Sequence, residues 1–599
     1  MEERDMQQPK PRKEMDPRWT WDLSSILEGT AAFDALFEAT EKKIAAWSEC
    51  QGQVEKDPRS AIRGYFEISR SVERLYTYAR MRLDEDGGDS ESQRLLTRIQ
   101  ALAAKAGSAG AFLRPELLAL PVETLTEMKN DPDFSEYDVF LDDLLRDQPH
   151  TLPAEQEKLL AEVGEMMQAP DDIFTMLSDV DRPLPDVKDE EGRDAKLSST
   201  VYMRMLHSRN REARKAAYEA EMNAYGQYKQ TFAATYRYNV KGDVIRARAR
   251  HFGSALEASL FPDRIPVTVY DALLQSVEDM LPALNKYLSL RKKQLGVDEL
   301  HLYDLYVPIV SDFDMPMTYP EAFQLVKKGL APLGAHYAEL LDEAYNGHWI
   351  DVYENQGKHT GAYSWGTYDS HPYVLLNHTD DLNGAFTLAH ELGHSMHTWH
   401  SNHALPYAKA GYSLFVAEVA STCNEMLLMR YLLNEYKDDP KASAYLANHL
   451  LEEFRGTVYR QTMFAAFEKE AHRMEEAGIP LTHESLGEAH YALNKKYYGD
   501  SCVIDDCVKY EWMRIPHFYS SFYVYKYATG FSAAVYISNR ILTEGAPAVA
   551  DYMKFLSAGG SLPPLDALRL AGVDMEDPQT VRDALQVFAD TVDRLETLL

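Results

Sequence analysis

Cysteine is scarce in this sequence, with four in 599 residues. So few cysteines do not make a disulfide framework, and Cys502 and Cys507 are too far apart for the tight pair of a zinc knuckle or redox motif. The opening stretch "MEERDMQQPKPRKEMDPRWTW" lacks the apolar core of a signal peptide. No run of about 18 uncharged apolar residues is present that could span a membrane. These absences favour a protein of the reducing cytoplasm.

Positive charge is also in short supply. The 62 lysine and arginine residues stand against 94 aspartate and glutamate residues, which leaves a formal net charge of −32 at pH 7. A field of that sign repels phosphate backbones and anionic lipid headgroups, so we expect neither a nucleic acid nor a membrane surface as a partner. The simplest interpretation of the charge is an acidic surface that keeps a cytoplasmic protein in solution.

Amphipathic helical patterns dominate what is present. From Trp19 to about residue 180, apolar residues recur at intervals of three and four, which is typical of helices that bury one face. The acidic stretch "KDEEGRD" interrupts this rhythm and predicts a hairpin turn between two short strands. Helical patterns then continue to about residue 345. The sequence therefore predicts a mostly α-helical protein, with a flexible tail over residues 1–18 and a boundary near residue 200.

Residues 357 to 376 differ in composition from both flanks. They contain Gly357, Gly361 and Gly366, alternating aromatic residues, and the β-prone run from Tyr373 to Leu376. This composition predicts a small irregular sheet or hairpin. It comes immediately before a helical stretch, "FTLAHELGHSMHTWH", that holds four histidines and one glutamate.

The histidine-rich helix contains a metal-binding pattern. Asp380 or Asp381 can cap its N-terminus. His390 and His394 then lie one turn apart on nearly the same face, where both imidazoles can bind one tetrahedral metal ion. Glu391 adjoins the first histidine, projects beside the ion and can take a proton from a metal-bound water. His-Glu-Leu-Gly-His is thus the HExxH pattern of zinc peptidases.

A third ligand must come from elsewhere in the chain. His400 matches the last histidine of the pattern HExxHxxGxxH, but His397 replaces the glycine that would turn the chain. The helix is therefore expected to continue and to place His400 about 15 Å along its axis from His390, too far to bind the same ion. His397 is therefore either a substrate-side residue or a packed one. Glu418 is the better candidate, because a carboxylate among apolar neighbours is costly unless it is paired or metal-bound. Glu425, two turns on, can hydrogen-bond a ligand histidine or form a surface ion pair.

Three blocks of sequence carry a family resemblance, namely "GAYSWGTYDSHPYVLLNHTDDLNGAFTLAHELGHSMH", "FVAEVASTCNEMLL" and "EWMRIPHFYSSFYVYKYATGFSAA". In this order they resemble oligoendopeptidase F, of the thimet-oligopeptidase-like zinc metallopeptidases. The resemblance implies a two-lobed, clam-like helical fold with a deep channel and a small β insert next to the zinc helix. Its parts would be an N-terminal helical lobe (19–200) and a catalytic domain (201–599). It also implies one zinc ion per chain, with His390, His394 and Glu418 as ligands and Glu391 as base.

The third block contains a histidine followed by four tyrosines. In similar peptidases, a histidine and tyrosines of this region face the zinc ion and stabilise the tetrahedral intermediate, and such donors act strongly in a dry site. The resemblance therefore implies this role for His517, Tyr523 and Tyr527, and a helix would present the two tyrosines on one face. Which tyrosine supports the oxyanion stays open. Tyr519 and Tyr525 are interpreted as packing residues.

The glycine-rich segment before the zinc helix has two interpretations. A strand edge beside the metal could pair with an extended peptide backbone and bind substrates with little sequence preference. On this hypothesis the substrate-binding residues are Gly361, Ala362, Tyr363, His371 and Tyr373. The alternative is a structural hairpin that covers the zinc helix.

These observations predict a zinc-dependent oligoendopeptidase that hydrolyses internal bonds of short unstructured peptides, with Glu391 activating a zinc-bound water. A helical carboxypeptidase would need a cation for the terminal carboxylate, and none is identified. The "GxMEN" stretch of one aminopeptidase class is absent. A peptide-binding protein without catalysis would not need Glu391. The ligands favour zinc without excluding another divalent metal. The sequence does not determine side-chain preference or oligomeric state.

Overall fold

The computed structural model describes residues 9–310, 313 and 315–599. Most of these residues lie in helices, and the strands among them form two small sheets. The prediction of a mostly helical protein with a small β insert is therefore confirmed. Within the described part of the chain, no helix is long and apolar enough to cross a membrane.

The chain divides into two compact units, each assembled from three stretches of sequence. The first unit comprises Met1–Pro149, Asp314–Tyr431 and Ile537–Gly572. The second unit comprises His150–Phe313, Leu432–Tyr536 and Val573–Leu599. The predicted boundary near residue 200 falls inside the second unit, and the division into 19–200 and 201–599 stays a prediction.

The α-helices are numbered here in chain order. The first six are α1 (Thr30–Ser48), α2 (Pro58–Glu85), α3 (Ser90–Gly110), α4 (Leu113–Leu118), α5 (Val122–Lys129) and α6 (Asp138–Asp147). The next eight are α7 (Ala154–Glu162), α8 (Ala169–Thr175), α9 (Ser199–His207), α10 (Arg211–Gly226), α11 (Lys229–Ala249), α12 (Ala255–Leu260), α13 (Val267–Asp279) and α14 (Leu281–Leu295). They are followed by α15 (Tyr319–Gly329), α16 (Ala335–Asn346), α17 (Leu382–Ala404), α18 (Tyr407–Ala410) and α19 (Ala417–Glu435). The last are α20 (Pro440–Phe454), α21 (Arg460–Glu476), α22 (His483–Tyr498), α23 (Tyr525–Glu544), α24 (Ala546–Leu556), α25 (Pro564–Leu570) and α26 (Pro578–Leu598).

Local sequence explains how these helices begin and which face they bury. At the start of α2, Asp57 accepts a hydrogen bond from the Ser60 N–H at 3.1 Å. Pro58 occupies the first turn, where an N–H has no intrahelical partner to lose. The apolar residues of α2 recur at helical spacing, so Ile62 and Leu75 join the buried core of the first unit.

Two small sheets interrupt the helices. β1 (Asp186–Lys188) pairs antiparallel with β2 (Asp194–Lys196), as the "KDEEGRD" stretch predicts. The second sheet contains β3 (Ile350–Asp351), β4 (Tyr363–Trp365) and β5 (Tyr373–Leu375) in the order β3-β5-β4. β4 pairs antiparallel with β5, and β3 pairs parallel with it. The predicted sheet before the histidine-rich helix is confirmed, whereas β3 was not predicted because two residues carry no recognisable period.

The predicted flexible tail has two parts. Residues 1–8 lie outside the described residues. Arg12–Glu14 and Pro17–Trp19 form short 3-10 helices, and the Arg12 guanidinium lies 2.5 Å from the buried carboxylate of Asp351 in β3. A buried carboxylate requires such partners, and Lys358 supplies a second at 2.7 Å. Residues 9–18 therefore differ from a free tail, because a buried charge in the first unit holds them.

Candidate metal centre

α17 begins where its capping residue predicts. Asp381 accepts a hydrogen bond from the Gly384 N–H at 2.8 Å. Of the two candidate aspartates, Asp380 and Asp381, the N-cap is therefore Asp381. Leu388 and Leu392 are buried and hold one face of the helix in the first unit. The helix continues without a break to Ala404, so successive turns carry its histidines along one axis.

Three predicted ligands converge on one point in the first unit. His390 Nε2 lies 3.2 Å from His394 Nε2 and 3.3 Å from Glu418 Oε2, and His394 Nε2 lies 3.5 Å from the same carboxylate oxygen. Both histidines come from α17, and Glu418 comes from the first turn of α19. Among the described residues, this is the one His/Cys/Asp/Glu group whose ligand atoms lie within 4.8 Å of one another.

The spacing of these atoms fits a zinc ion. A tetrahedral ion with ligand bonds of about 2.0–2.1 Å holds neighbouring ligand atoms about 3.3 Å apart. The three distances of 3.2, 3.3 and 3.5 Å match the edges of such a tetrahedron. Two imidazole nitrogens and one carboxylate oxygen also form the donor set of a catalytic zinc site with an open fourth position.

The ligands are strongly coupled to their acidic neighbours. Burial lowers the pKa of His390, but the carboxylates of Glu418 and Glu425 raise it and prevail, so the pKa lies well above its ordinary value. Burial raises the pKa of Glu418, and its hydrogen bonds with His390 and His394 hold that pKa below its ordinary value. Glu425 Oε2 lies 3.2 Å from His390 Nδ1, which is the geometry of a carboxylate that orients a ligand imidazole.

Glu391 is buried beside the ligands. Its side chain is 7% exposed, and its Oε2 atom has no hydrogen-bond partner among the described residues. Burial raises the pKa of the Glu391 carboxyl above its ordinary value, although the charges of His390 and His394 act in the opposite direction. A carboxylate with a free oxygen in such surroundings can take up and release a proton.

The two ligand-bearing helices are held together by residues that the sequence analysis missed. Asn424 of α19 is buried and donates a hydrogen bond to the Ala389 carbonyl of α17 at 3.0 Å. Tyr337 of α16 donates to Asn424 Oδ1 at 2.9 Å. The available signal was a polar Asn424 within the apolar run "FVAEVASTCNEMLL", because a buried amide requires partners.

Two further histidines of α17, His397 and His400, are packing residues. His397 stacks on Tyr412 with ring centroids 3.8 Å apart, and burial lowers the pKa of His397 to about 3. This settles the choice left open for His397 in favour of packing. His400 Nδ1 bonds the Met396 carbonyl of its own helix at 2.7 Å. His400 is absent from the ligand group, as the unbroken helix predicts.

His517, Tyr523 and Tyr527 form a cluster in the second unit. His517 Nε2 lies 3.4 Å from the Tyr527 hydroxyl, and the Tyr523 ring lies 5.4 Å from that of Tyr527 and 6.3 Å from that of His517. The prediction that one helix presents both tyrosines is wrong, since α23 begins only at Tyr525. Phe522 has a φ of 60°, a left-handed conformation that lies outside the helix, and Tyr523 follows it before α23 begins. Burial lowers the pKa of His517.

The other two tyrosines of the block are packed, as predicted. Tyr519 shares a hydrogen bond with Thr235 at 2.7 Å and stacks on Phe174 with centroids 4.4 Å apart. Tyr525 is fully buried against Tyr270, with ring centroids 5.0 Å apart. Both tyrosines therefore support the core of the second unit.

The predicted substrate-binding residues fall into two groups: two that line a cavity, and three whose side chains contact other residues of the first unit. Gly361, with φ 85°, and Ala362 lead into the edge strand β4 and line a cavity of about 300 Å³. Tyr363 donates a hydrogen bond to Asp84 at 2.8 Å. His371 stacks on a tryptophan of the core, 4.7 Å between centroids. Tyr373 is completely buried, with its hydroxyl bonded inside the first unit, so it offers no surface to a substrate.

Comparisons with known proteins identify relatives over the whole length of the chain. The family model for Peptidase family M3 matches residues 204–587, and the model for Oligopeptidase F matches residues 116–182. The chain is 43% identical over 602 residues to Oligopeptidase PepF of Bacillus subtilis (strain 168), covering 100% of this chain and 90% of that protein.

Solved structures give the same result. A crystal structure from Chlamydophila abortus superimposes with a TM-score of 0.94 at 33% identity, covering 99% of this chain and 100% of that one. Oligoendopeptidase-F from Enterococcus faecium superimposes with a TM-score of 0.74 at 34% identity, covering 94% of this chain and 98% of that one. The chain therefore belongs to peptidase family M3 and is a metallopeptidase that hydrolyses peptide bonds.

Proposed function

We propose that this metallopeptidase is a zinc-dependent endopeptidase that cleaves internal bonds of short unstructured peptides, with one zinc ion per chain. One observation carries the proposal: the ligand atoms of His390, His394 and Glu418 lie 3.2 to 3.5 Å apart beside a buried carboxylate with an unpartnered oxygen. A bound zinc ion would polarise a peptide carbonyl and lower the pKa of a water.

Glu391 is the proposed general base and acid. Its free Oε2 takes a proton from the attacking water and then delivers it to the leaving amine. The burial that raises its pKa favours this reversible exchange, because a carboxylate in a dry site holds a proton more readily than one in water.

Glu425 is the proposed orienting partner of His390. By accepting the Nδ1–H of His390 at 3.2 Å, it fixes the tautomer that leaves Nε2 free to bind metal. The alternative of a surface ion pair has less support, because the partner of Glu425 is a ligand histidine.

His517, Tyr523 and Tyr527 are the proposed donors to the oxyanion that develops on the substrate carbonyl. An imidazole N–H and phenol O–H groups that cluster in one place can stabilise such a charge without reorganisation during the reaction. The stacking and hydrogen-bond distances within this cluster support their joint action.

The edge strand β4 is the proposed binding site for the peptide backbone. β4 lies at one end of the order β3-β5-β4 and is fixed to α17 by the hydrogen bond between Ser364 and Ser395 at 2.8 Å. An extended peptide can pair with such an edge through main-chain hydrogen bonds. Gly361, Ala362 and Tyr363 belong to this proposed site. His371 is kept as a neighbouring residue whose ring stacks on Trp349, and the buried Tyr373 is omitted.

The proposed partners follow from this site and from charge. Short peptides are the substrates, and the net charge of −32 disfavours nucleic acid and anionic membrane surfaces. A cytoplasmic location is proposed from the scarcity of cysteine.

The test is hydrolysis of an internally quenched peptide before and after chelation and zinc return, with mass spectrometry of the products. We expect internal cleavage that stops on chelation and resumes with zinc. Release of single C-terminal residues would replace the endopeptidase proposal with a carboxypeptidase. No cleavage of a varied peptide library by the zinc-loaded protein would contradict the proposal and favour a peptide-binding role.

A further inference from the structure

A small cavity in the second unit contains none of the residues of the proposed peptidase site. Its volume is about 20 Å³, which is enough for one water molecule or one monatomic ion. Three guanidinium groups line it, those of Arg455, Arg460 and Arg514, together with the single carboxylate of Glu511. The charged lining is therefore three positive groups against one negative group.

The carboxylate of Glu511 is already occupied by other partners. Its Oε1 accepts a hydrogen bond from Arg460 Nη2 at 2.7 Å, and its Oε2 lies 3.0 Å from His490 Nε2. Arg514 comes no closer than 3.9 Å to this carboxylate, so it forms an ion pair beyond hydrogen-bond distance. Arg514 also interacts with the charge of Glu221, but Arg182 already hydrogen-bonds that carboxylate at 3.4 Å, so Arg514 has no carboxylate to itself.

A second carboxylate behind the cavity is also shared. Glu452 accepts hydrogen bonds from Arg455 Nη2 at 2.6 Å and from Arg291 Nη1 at 2.9 Å. With Arg182 included, five guanidinium groups thus share three carboxylates, those of Glu511, Glu452 and Glu221, in this part of the unit. Arg514 is the most exposed of the five at 23%, and excess charge of one sign in a site largely withdrawn from water is costly unless a counter-charge accompanies it.

The uncharged lining adds hydrogen-bond donors. Tyr218 is 4% exposed, lines the cavity, and its hydroxyl has no partner among the described residues. The guanidinium of Arg455 lies 5.0 Å from the centre of the Tyr306 ring. Burial raises the pKa of the Tyr306 phenol, yet the charges of Arg460 and Arg455 prevail and lower it, so the potential at the cavity is positive.

We propose that this cavity binds one monatomic anion of the halide class, with chloride as the ligand available in cells. Guanidinium and phenol groups present N–H and O–H donors to such an ion. The positive lining excludes a cation, and the volume excludes larger anions such as phosphate. The bound ion would neutralise Arg514 and stabilise the second unit, independently of the peptidase proposal.

The direct test uses the wild-type protein, crystallised and soaked in sodium bromide, with anomalous data collected at the bromine edge. We expect an anomalous peak inside the cavity beside Arg514 and the Tyr218 hydroxyl. A cavity that holds only water, or no density, in crystals that bind bromide elsewhere would overturn the proposal.

A solution test measures the Tm in sodium chloride and in sodium gluconate at equal ionic strength, because gluconate is too large for the cavity. About 0.2 M chloride should raise the Tm of the wild type by about 2 °C or more relative to gluconate. The rise should disappear in Arg514→Gln and persist in Arg94→Gln, a control in the exposed Arg94–Glu91 pair. Equal Tm values of the wild type in the two salts would contradict the proposal. If Arg514→Gln does not fold, the bromide experiment decides.

Discussion

Gly393 of α17 lies so close to Ser421 of α19 that a β-carbon at position 393 would stand 2.5 Å from the Ser421 Cα. Real β-carbons do not approach other atoms this closely, so any larger residue must push the helices apart. The glycine inside the HELGH pattern thus sets the distance between α17, which carries His394, and α19, which carries Glu418.

We expect Gly393→Ala to weaken zinc binding by about 10-fold or more, since a ligand set displaced by a fraction of an ångström no longer fits one ion. Competition with a fluorescent zinc chelator measures the affinity. Gly411→Ala is the matched control, because a β-carbon there meets no atom within 4 Å. If both variants bind zinc as the wild type does, the close approach does not control the site.

Glu391→Gln should lower kcat by at least about 100-fold while zinc remains bound at one ion per chain. The amide keeps the shape of the side chain but cannot take up the proton. Quenched-peptide kinetics and metal analysis of the same sample measure the two quantities. Activity close to that of the wild type would exclude Glu391 as the base.

Glu425→Gln should lower zinc affinity by about 10- to 100-fold, because the carboxylate that orients His390 is lost. Chelator competition again gives the result. Glu435→Gln, at the exposed end of the same helix, controls for the loss of one negative charge. Equal affinities in the two variants would assign Glu425 to an ordinary ion pair.

Tyr523→Phe should lower kcat by about 10- to 1,000-fold with little change in KM, because the hydroxyl acts on the charge that develops in the transition state. Tyr519→Phe is the control, because Tyr519 belongs to the same block but packs in the core. This variant should lose about 1 kcal/mol of stability with its Thr235 hydrogen bond and keep the kcat of the wild type. A change confined to KM would place Tyr523 in substrate binding instead.

Glu468 provides a test of pH dependence away from the metal ligands. This fully buried carboxyl accepts the Phe522 N–H at 2.9 Å and so supports the unusual φ of 60° beside Tyr523. Burial raises its pKa well above the ordinary value; the Phe522 hydrogen bond lowers it, and Asp243 raises it further. The folded chain therefore binds this proton more tightly than the unfolded chain does.

The stability that the protonated Glu468 contributes is fully present below the pKa that this carboxyl has in the unfolded chain. It is lost as the pH rises through the raised pKa of the folded chain. Glu468→Gln keeps the acceptor for Phe522 but cannot ionise. Between about pH 5 and pH 8 we expect the Tm of the variant to fall less than that of the wild type. Thermal melts across this range measure the difference between the two proteins. If the Tm of the two proteins changes in parallel with pH, ionisation of Glu468 does not affect stability.

Local sequence was sufficient for the parts of the fold that depend on near neighbours. The HExxH spacing put His390 and His394 on one face of α17, and a cap at Asp380 or Asp381 marked its start, of which the structure uses Asp381. Glu418 was found by a different argument, the cost of a carboxylate among apolar neighbours. Its oxygen does lie beside both histidines, but the side chain is 47% exposed, so burial was not the physical reason for its place.

Features that depend on distant contacts could not be read in this way. Tyr523 was predicted on a helix because its spacing from Tyr527 is helical, but a contact between Phe522 and the distant Glu468 stabilises a turn instead. Tyr373 has the alternating aromatic pattern of an exposed strand, yet β3 on one side and β4 on the other make its strand central. Sequence pattern does not reveal how many neighbours a strand has.

The interleaving of the two units has a consequence for biosynthesis. The first unit needs Ile537–Gly572, and the second needs Val573–Leu599, so neither has all its parts until the segments beyond residue 536 have been synthesised. In the first unit, Phe555 packs 5.1 Å from the His397 ring, although it is made long after that helix has left the ribosome. The nascent chain must therefore keep incomplete cores from aggregating until the segments beyond residue 536 emerge. A stop codon before residue 537 would leave both units incomplete, whereas one directly after Gly572 would remove only the last segment of the second unit.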